Sequence, residues 1–245
     1  MSSRLFTFLA FVAAWALACR LFEIPSYLLP TPIEVFQTVV SERSLLATAT
    51  LVSALEAIAG FLLAAAVALG IGIFVSLQPR TLKPVLGAAI ALKSIPVAAL
   101  APVFLIWCGY GVQGKILLAA IVAVFPMLIA LVEGMAAIPP TDRDLFRTLR
   151  ASRWQTVVKL SLPRCVPFAV AGLRIAAPMA VLGSLIAEYS GAREGLGVTM
   201  MIAAANLNSP LLFGAAILSA FLGIGAFSAI RLLEIPLQNY MESKS

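Results

Sequence analysis

The run Gly109-Tyr110-Gly111-Val112-Gln113-Gly114-Lys115 has the GxxxxGK spacing with which a loop cradles phosphate, its backbone N–H groups and lysine facing the anion. Its context argues against that chemistry. Ile116 follows where a magnesium-holding Ser or Thr belongs, and the run joins two apolar stretches rather than a strand and a helix. If the protein depends on ATP, another chain must bind it. Histidine is absent, so neither a His-based nucleophile relay nor a His-ligated metal site can be built. Cys19, Cys108 and Cys165 are odd in number, far apart and set in apolar sequence, which excludes a CxxC site and a disulfide framework and reads as small buried hydrophobes. Asp142 and Asp144 could hold magnesium in an intramembrane prenyl transferase, but two acids flanked by arginines are too few for a metal-diphosphate site. No catalytic residue, metal or cofactor is expected on this chain.

The remaining chemistry is that of isolated charges. The chain is 62% hydrophobic and only 11% charged, with a mean hydropathy of +1.04, so its main solvent is lipid. A Lys or Arg at mid-membrane costs about 2.5–3.5 kcal/mol on insertion scales and therefore needs a function. Lys93, beside Ser94 and Pro96, together with Arg174 and Glu188, are the candidates for lining a translocation pathway. Arg174 and Glu188 stand about 21 Å apart along a helix, so any partner of either comes from another element. Glu56 and Glu133 fall near the ends of apolar stretches, where interfacial water solvates them; Glu188 falls near an external end that water also reaches.

The elements that must carry these residues follow from lipid's inability to hydrogen-bond a bare backbone, which leaves helices as the spanning structure for long unalternated apolar runs. Six spans are expected, at about 5–22, 57–79, 84–107, 116–138, 166–188 and 211–230. The second has a helical lead from Leu45 that fits either one long helix or a surface helix followed by a span. The fold class is thus all-α, a polytopic bundle forming a single domain over 1–245. The apolar run near Ala16-Leu17-Ala18-Cys19 loosely resembles a lipoprotein cleavage site, but it continues through Leu21 and Phe22 as a span does.

Between the fourth and fifth spans, at 139–165, lie Arg143, Arg147, Arg150, Arg153, Lys159 and Arg164 against only Asp142 and Asp144. The positive-inside rule puts this loop in the cytoplasm, and Arg4, Arg80 and Lys83 then fall on the same side, with both termini. The net charge of +6 is accordingly a matter of topology, and no nucleic acid is implied. Leu145, Phe146 and Leu149 form an apolar stripe beside the basic face of Arg143, Arg147 and Arg150, suited to a partner protein or to anionic lipid. Pro and Gly interrupt several spans, as in bundles that move.

Ala91-Leu92-Lys93-Ser94-Ile95-Pro96, Ala101-Pro102-Val103, Trp107-Cys108-Gly109-Tyr110-Gly111 and Lys115 resemble the permeases of binding-protein-dependent ABC importers of the nitrate, sulfonate, taurine and bicarbonate branch. Leu29-Pro30-Thr31-Pro32, Gly172-Leu173-Arg174-Ile175, Ala187-Glu188-Tyr189 and Gly195-Leu196-Gly197 extend the likeness over most of the chain. The family hallmark is a cytoplasmic loop reading Glu-Ala-Ala-x-x-x-Gly and later Leu-Pro, whose short helices enter a groove on the ATPase. Here Asp144-Leu145-Phe146 stands in the first place, Leu149 follows, Arg150 replaces the glycine, and Ala151-Ser152-Arg153-Trp154-Gln155 and Leu162-Pro163 match. Arg in the glycine's place is expected to shift or flatten the bend. The resemblance implies a type I importer permease in a bacterial inner membrane, non-catalytic, acting usually as a homodimer. Two cytoplasmic ATPases that hold ATP and magnesium and an extracytoplasmic substrate-binding protein complete the assembly. The rival reading is a self-contained secondary carrier or channel. The transported substrate is not legible in these residues.

Overall fold

The computed structural model describes residues 2–109 and 111–242, and every regular element among them is a helix. Tyr110 lies outside the described residues, as does the side chain of Arg4. The chain opens with α1 (Ser2–Leu21) and then α2 (Pro32–Ser41). Thr31 starts α2 with a capping box: its hydroxyl accepts from the Glu34 N–H, while the Glu34 carboxylate accepts the Thr31 N–H at 2.7 Å. The Thr31 N–H, followed by the Ser26 hydroxyl, holds the Glu34 carboxyl below the usual carboxylate range.

α3 (Arg43–Leu77) is one continuous helix of 35 residues, about 52 Å long and so well beyond the roughly 30 Å of hydrocarbon. The lead from Leu45 therefore belongs to the same helix as the second span. Among its buried positions, Ala49, Ser53, Ala57, Gly60, Ala64, Ala68 and Gly72 recur every three or four residues as a stripe of small side chains. Small residues are what lets helices pack in lipid, where apolar burial against a neighbour gains nothing over burial in acyl chains. α6 (Val112–Ala136) lies against this stripe, so a side chain at Gly60 would collide with Ala119. α9 (Leu162–Tyr189) closes the triad: a Cβ on Gly183 would come to 2.7 Å from Ala119 Cα, and one on Gly172 to 2.6 Å from Ala130 Cβ. Ala64, Ala123, Met127, Ala176 and Ala180 fill the centre of this three-helix core. Leu51, Leu55, Ile58 and Leu62 of α3 point outward, as lipid-facing residues do.

The expected third span differs from a straight crossing. α4 (Leu82–Lys93) and α5 (Val97–Cys108) meet at 85° across Ser94-Ile95-Pro96. Pro96 has no N–H to continue the ladder and pushes Ile95 away from helical geometry, so the chain turns there. Lys93 is the last residue of α4, at the break in the middle of this bent pair. After α6 come the short helices α7 (Pro140–Thr148) and α8 (Arg153–Thr156), a single π-turn at Val157–Ser161, and α9. α10 (Leu196–Ala205) and α11 (Ser209–Glu242) pack on the core last. Among the described residues four helices are long and apolar enough to cross a membrane, or five if the bent pair is one span; the apolar part of α1, Leu9–Leu21, is shorter. Cys19 and Cys165 are buried and unbonded to each other, with their thiols directed at backbone carbonyls.

Candidate functional site

α7 and α8 form a hairpin at one end of the bundle. Pro140 occupies the first turn of α7, where a missing N–H is harmless, and Asp142 in that turn faces the positive end of the helix. Asp142 also receives Arg164 at 2.8 Å, which ties the start of the hairpin to the start of α9. Arg143 donates to the Met135 carbonyl at 2.6 Å, fastening α7 to α6. Ser152 caps α8 in a second capping box, its hydroxyl accepting the Gln155 N–H and its own N–H donating to the Gln155 side chain at 2.8 Å. Arg153 donates to Gln78 at 3.1 Å, so the hairpin sits against the end of α3, which Arg80 and Lys83 follow in the chain. Leu145, Leu149 and Trp154 are 56%, 67% and 57% exposed on this fastened support.

The sequence reading put Arg150 on the basic face of a helix; α7 in fact stops two residues earlier. Arg150 adopts φ +52, in the left-handed region. Its N–H donates to the Arg147 carbonyl at 2.9 Å, and the Ala151 N–H donates to the Phe146 carbonyl at 3.0 Å. These are the two reversed bonds of a Schellman motif, with Arg150 where glycine is usual. A left-handed non-glycine residue costs about 1–2 kcal/mol. A tight left-handed bend thus joins the two short helices, and Arg150 absorbs its strain.

Lys93, Ser94 and Pro96 are exposed at the α4–α5 break. Arg174 is half-buried on α9, its guanidinium 5.8 Å from the centre of the Phe227 ring of α11. Glu188 is completely enclosed, which corrects the expectation that water reaches it. Its carboxylate accepts the Gly197 N–H at 2.7 Å and thereby caps the start of α10, while Ser53 of α3 accepts the neighbouring Leu196 N–H at 2.9 Å. A side chain on Gly195, at φ +124, would overlap the Glu188 carboxyl, so only glycine fits. Glu56 is likewise buried rather than solvated at an interface: it forms an ion pair with Lys115 of α6, which also reaches the Glu194 carbonyl at 3.5 Å. Lys115 is thus engaged inside the bundle and not available to a phosphate. Glu133, by contrast, is exposed as expected.

The family model for the binding-protein-dependent transport system inner membrane component matches residues 60–235. The chain belongs to this family of ABC importer permeases. It is 33% identical to the formylaminopyrimidine transport permease protein of Halalkalibacterium halodurans over 93% of this chain and 91% of that one. A Bacillus subtilis permease assigned to aliphatic sulfonates transport is 30% identical over 95% of this chain and 85% of its own. The bicarbonate transport system permease protein of Synechococcus elongatus is 32% identical over 57% and 50% respectively. The protein is accordingly a multi-pass inner-membrane subunit without catalysis of its own, and membership implies an ATPase and a substrate-binding protein as partners.

Sequence reasoning on this permease misplaced Glu56 and Lys115 and missed Ser53 and Gln78. A signal existed for the first two. Glu56 is the lone charge between Arg43 and Arg80, and Lys115 the lone charge between Lys93 and Glu133. Opposite single charges in two apolar helices are candidates for each other's partner. Nothing in the sequence marks Gln78 as the acceptor of Arg153.

Proposed function

We propose that this permease passes a small anion or polar nutrient across the bacterial inner membrane by alternating access, with the α7–α8 hairpin receiving the work of a separate ATPase. The observation that carries this is the exposure of Leu145, Leu149 and Trp154 on a hairpin that Asp142, Arg143 and Arg153 tie to three different spans. Apolar side chains held this rigidly on water suit a protein groove, since a mobile loop would lose ordering entropy on docking. Half-buried Phe146 and the Asp144–Arg147 pair at 3.0 Å shape the same surface, with Ala151, Ser152 and Gln155 forming its turn. ATP and magnesium belong to the ATPase in this reading.

The pathway runs past the α4–α5 break. Non-helical backbone at membrane depth is tolerated only against protein or along a water-filled cavity, never against lipid. An exposed break that carries Lys93 and Ser94 therefore faces a second permease copy across an aqueous path, and a homodimer supplies that copy. Arg174, half-buried against Phe227, is the second pathway cation in this reading, whereas enclosed Glu188 fastens α10 instead of meeting substrate. The hairpin, Gln78, Arg80 and Lys83 share one end of the bundle, which supports a cytoplasmic hairpin and cytoplasmic termini. The relatives' names leave pyrimidine, sulfonate and bicarbonate chemistry open for the substrate.

The test is co-purification of the chain with its partner ATPase. Wild type is expected to retain the ATPase, and Trp154→Asp or Phe146→Asp to lose it while the permease keeps its thermal stability. Retention by both variants, with normal ATP-driven uptake, refutes the docking role.

A further inference from the structure

The hairpin's six cations are not equivalent. Arg143, Arg147, Arg153 and Arg164 are engaged by the Met135 carbonyl, Asp144, Gln78 and Asp142. Among the described residues, Arg150 and Lys159 have side chains with no hydrogen-bond or ion-pair partner, and of the two only Arg150 sits at the tip, directly after exposed Leu149. Arg150, like Glu23 and Leu207, is also held in left-handed geometry, which disfavours arginine relative to glycine, and of the three it alone lies on the hairpin. Strain kept in a rigid, exposed turn points to a function for the side chain it positions.

We propose that Arg150 is a partner-specificity contact, meeting a carboxylate on the ATPase at the rim of the groove that receives Leu145, Leu149 and Trp154. This rests on the hairpin being the ATPase dock. A fixed protein carboxylate explains the geometry better than an anionic lipid headgroup does. Headgroups are mobile and accept a cation from any nearby position, so a charge meant for them gains nothing from a strained anchor. A rigid partner rewards one position only, because a rim charge contributes through its distance to a single opposite charge. Glycine at this place would keep the bend with less strain and lose the charge, which separates the two roles of the residue.

The experiment measures binding of the purified ATPase to the full-length permease in nanodiscs of neutral phosphatidylcholine, across a salt series. Arg150→Gly is expected to weaken binding about three- to tenfold and to flatten its salt dependence, although the bend is less strained. Arg150→Glu is expected to weaken it further, and Arg150→Lys to restore most of the affinity. Binding by Arg150→Gly as tight as wild type overturns the proposal. So does a loss that appears only when anionic lipid is added to the discs, which would assign Arg150 to headgroups. Failure of the wild-type permease itself to bind would instead strike the docking reading, and this contact with it.

Discussion

Lys115 of α6 forms an ion pair with Glu56 of α3 inside the helix core, their side chains 5% and 2% exposed. It binds together two of the three helices that form the core. Removing one partner leaves an uncompensated charge in a medium that cannot solvate it, at a cost of about 3–5 kcal/mol. Lys115→Met alone should therefore lower the thermal midpoint of the detergent-solubilised protein sharply. Lys115→Met combined with Glu56→Gln should recover most of that loss, because the orphaned charge is gone. Equal midpoints for the single variant and wild type would show that the pair carries no such weight.

Packing in the same core turns on the absence of a side chain. A Cβ on Gly60 would collide with Ala119 and lie 3.0 Å from the Ile116 carbonyl oxygen, whereas one on Gly70, in the same helix, meets nothing within 4 Å. Gly60→Ala is expected to destabilise by about 1–3 kcal/mol through overpacking. Gly70→Ala should be neutral or stabilising by up to about 1 kcal/mol, since it removes backbone freedom from the unfolded chain. Thermal unfolding of the two variants side by side reads the difference, and similar midpoints would contradict the close α3–α6 approach.

The capping box of α2 gives a pH prediction with a definite sign. Glu34 is held below its ordinary value of 4.5, first by the Thr31 N–H and then by the Ser26 hydroxyl, so its contribution to α2 is complete above that value. It is lost as pH falls through the depressed folded-state value, because protonation removes the charge that these donors favour. Amide exchange at the start of α2, compared between neutral pH and pH below 4.5, should show protection lost in acid after correction for intrinsic rates. Glu34→Gln keeps the hydrogen-bonding shape and should abolish the pH dependence. Protection that falls equally in the Gln variant would place the titrating group elsewhere.

Single charges were easy to see in this sequence and hard to place. The charge-free run after Glu56 marks α3 as a span because periodicity and length are local properties, and the basic cluster from Arg143 to Arg164 marks the hairpin for the same reason. Whether Glu56 meets water or Lys115 depends on which turn of α6 lies beside it, and that register is set by the contact of Gly60 with Ala119, a non-local fact. Arg150 illustrates the limit from the other side. Its substitution for glycine was visible, but two backbone hydrogen bonds, those of Arg150 and Ala151, outweigh its intrinsic preference and keep the turn.

The break between α4 and α5 yields the sharpest test of where substrate travels. If Ser94 and Lys93 border an aqueous path, a membrane-impermeant thiol reagent should label Ser94→Cys in at least one state of the transport cycle, in a background with half-buried Cys108 replaced by Ser. Cys19 and Cys165 are buried and should stay silent. Lys93→Met retains the length of the side chain and removes its charge, so it should reduce ATP-driven uptake into proteoliposomes by about tenfold or more, in line with a lost charge-assisted contact of about 1.5–3 kcal/mol. ATPase co-purification and thermal stability should be unchanged, because Lys93 is exposed and makes no ion pair among the described residues. Uptake at the wild-type rate together with no labelling at residue 94 would mean that the broken span is covered by protein and that the path lies elsewhere. Labelling with normal uptake would keep the path here and remove Lys93 from substrate contact. The two measurements thus separate where the path runs from what the lysine does along it.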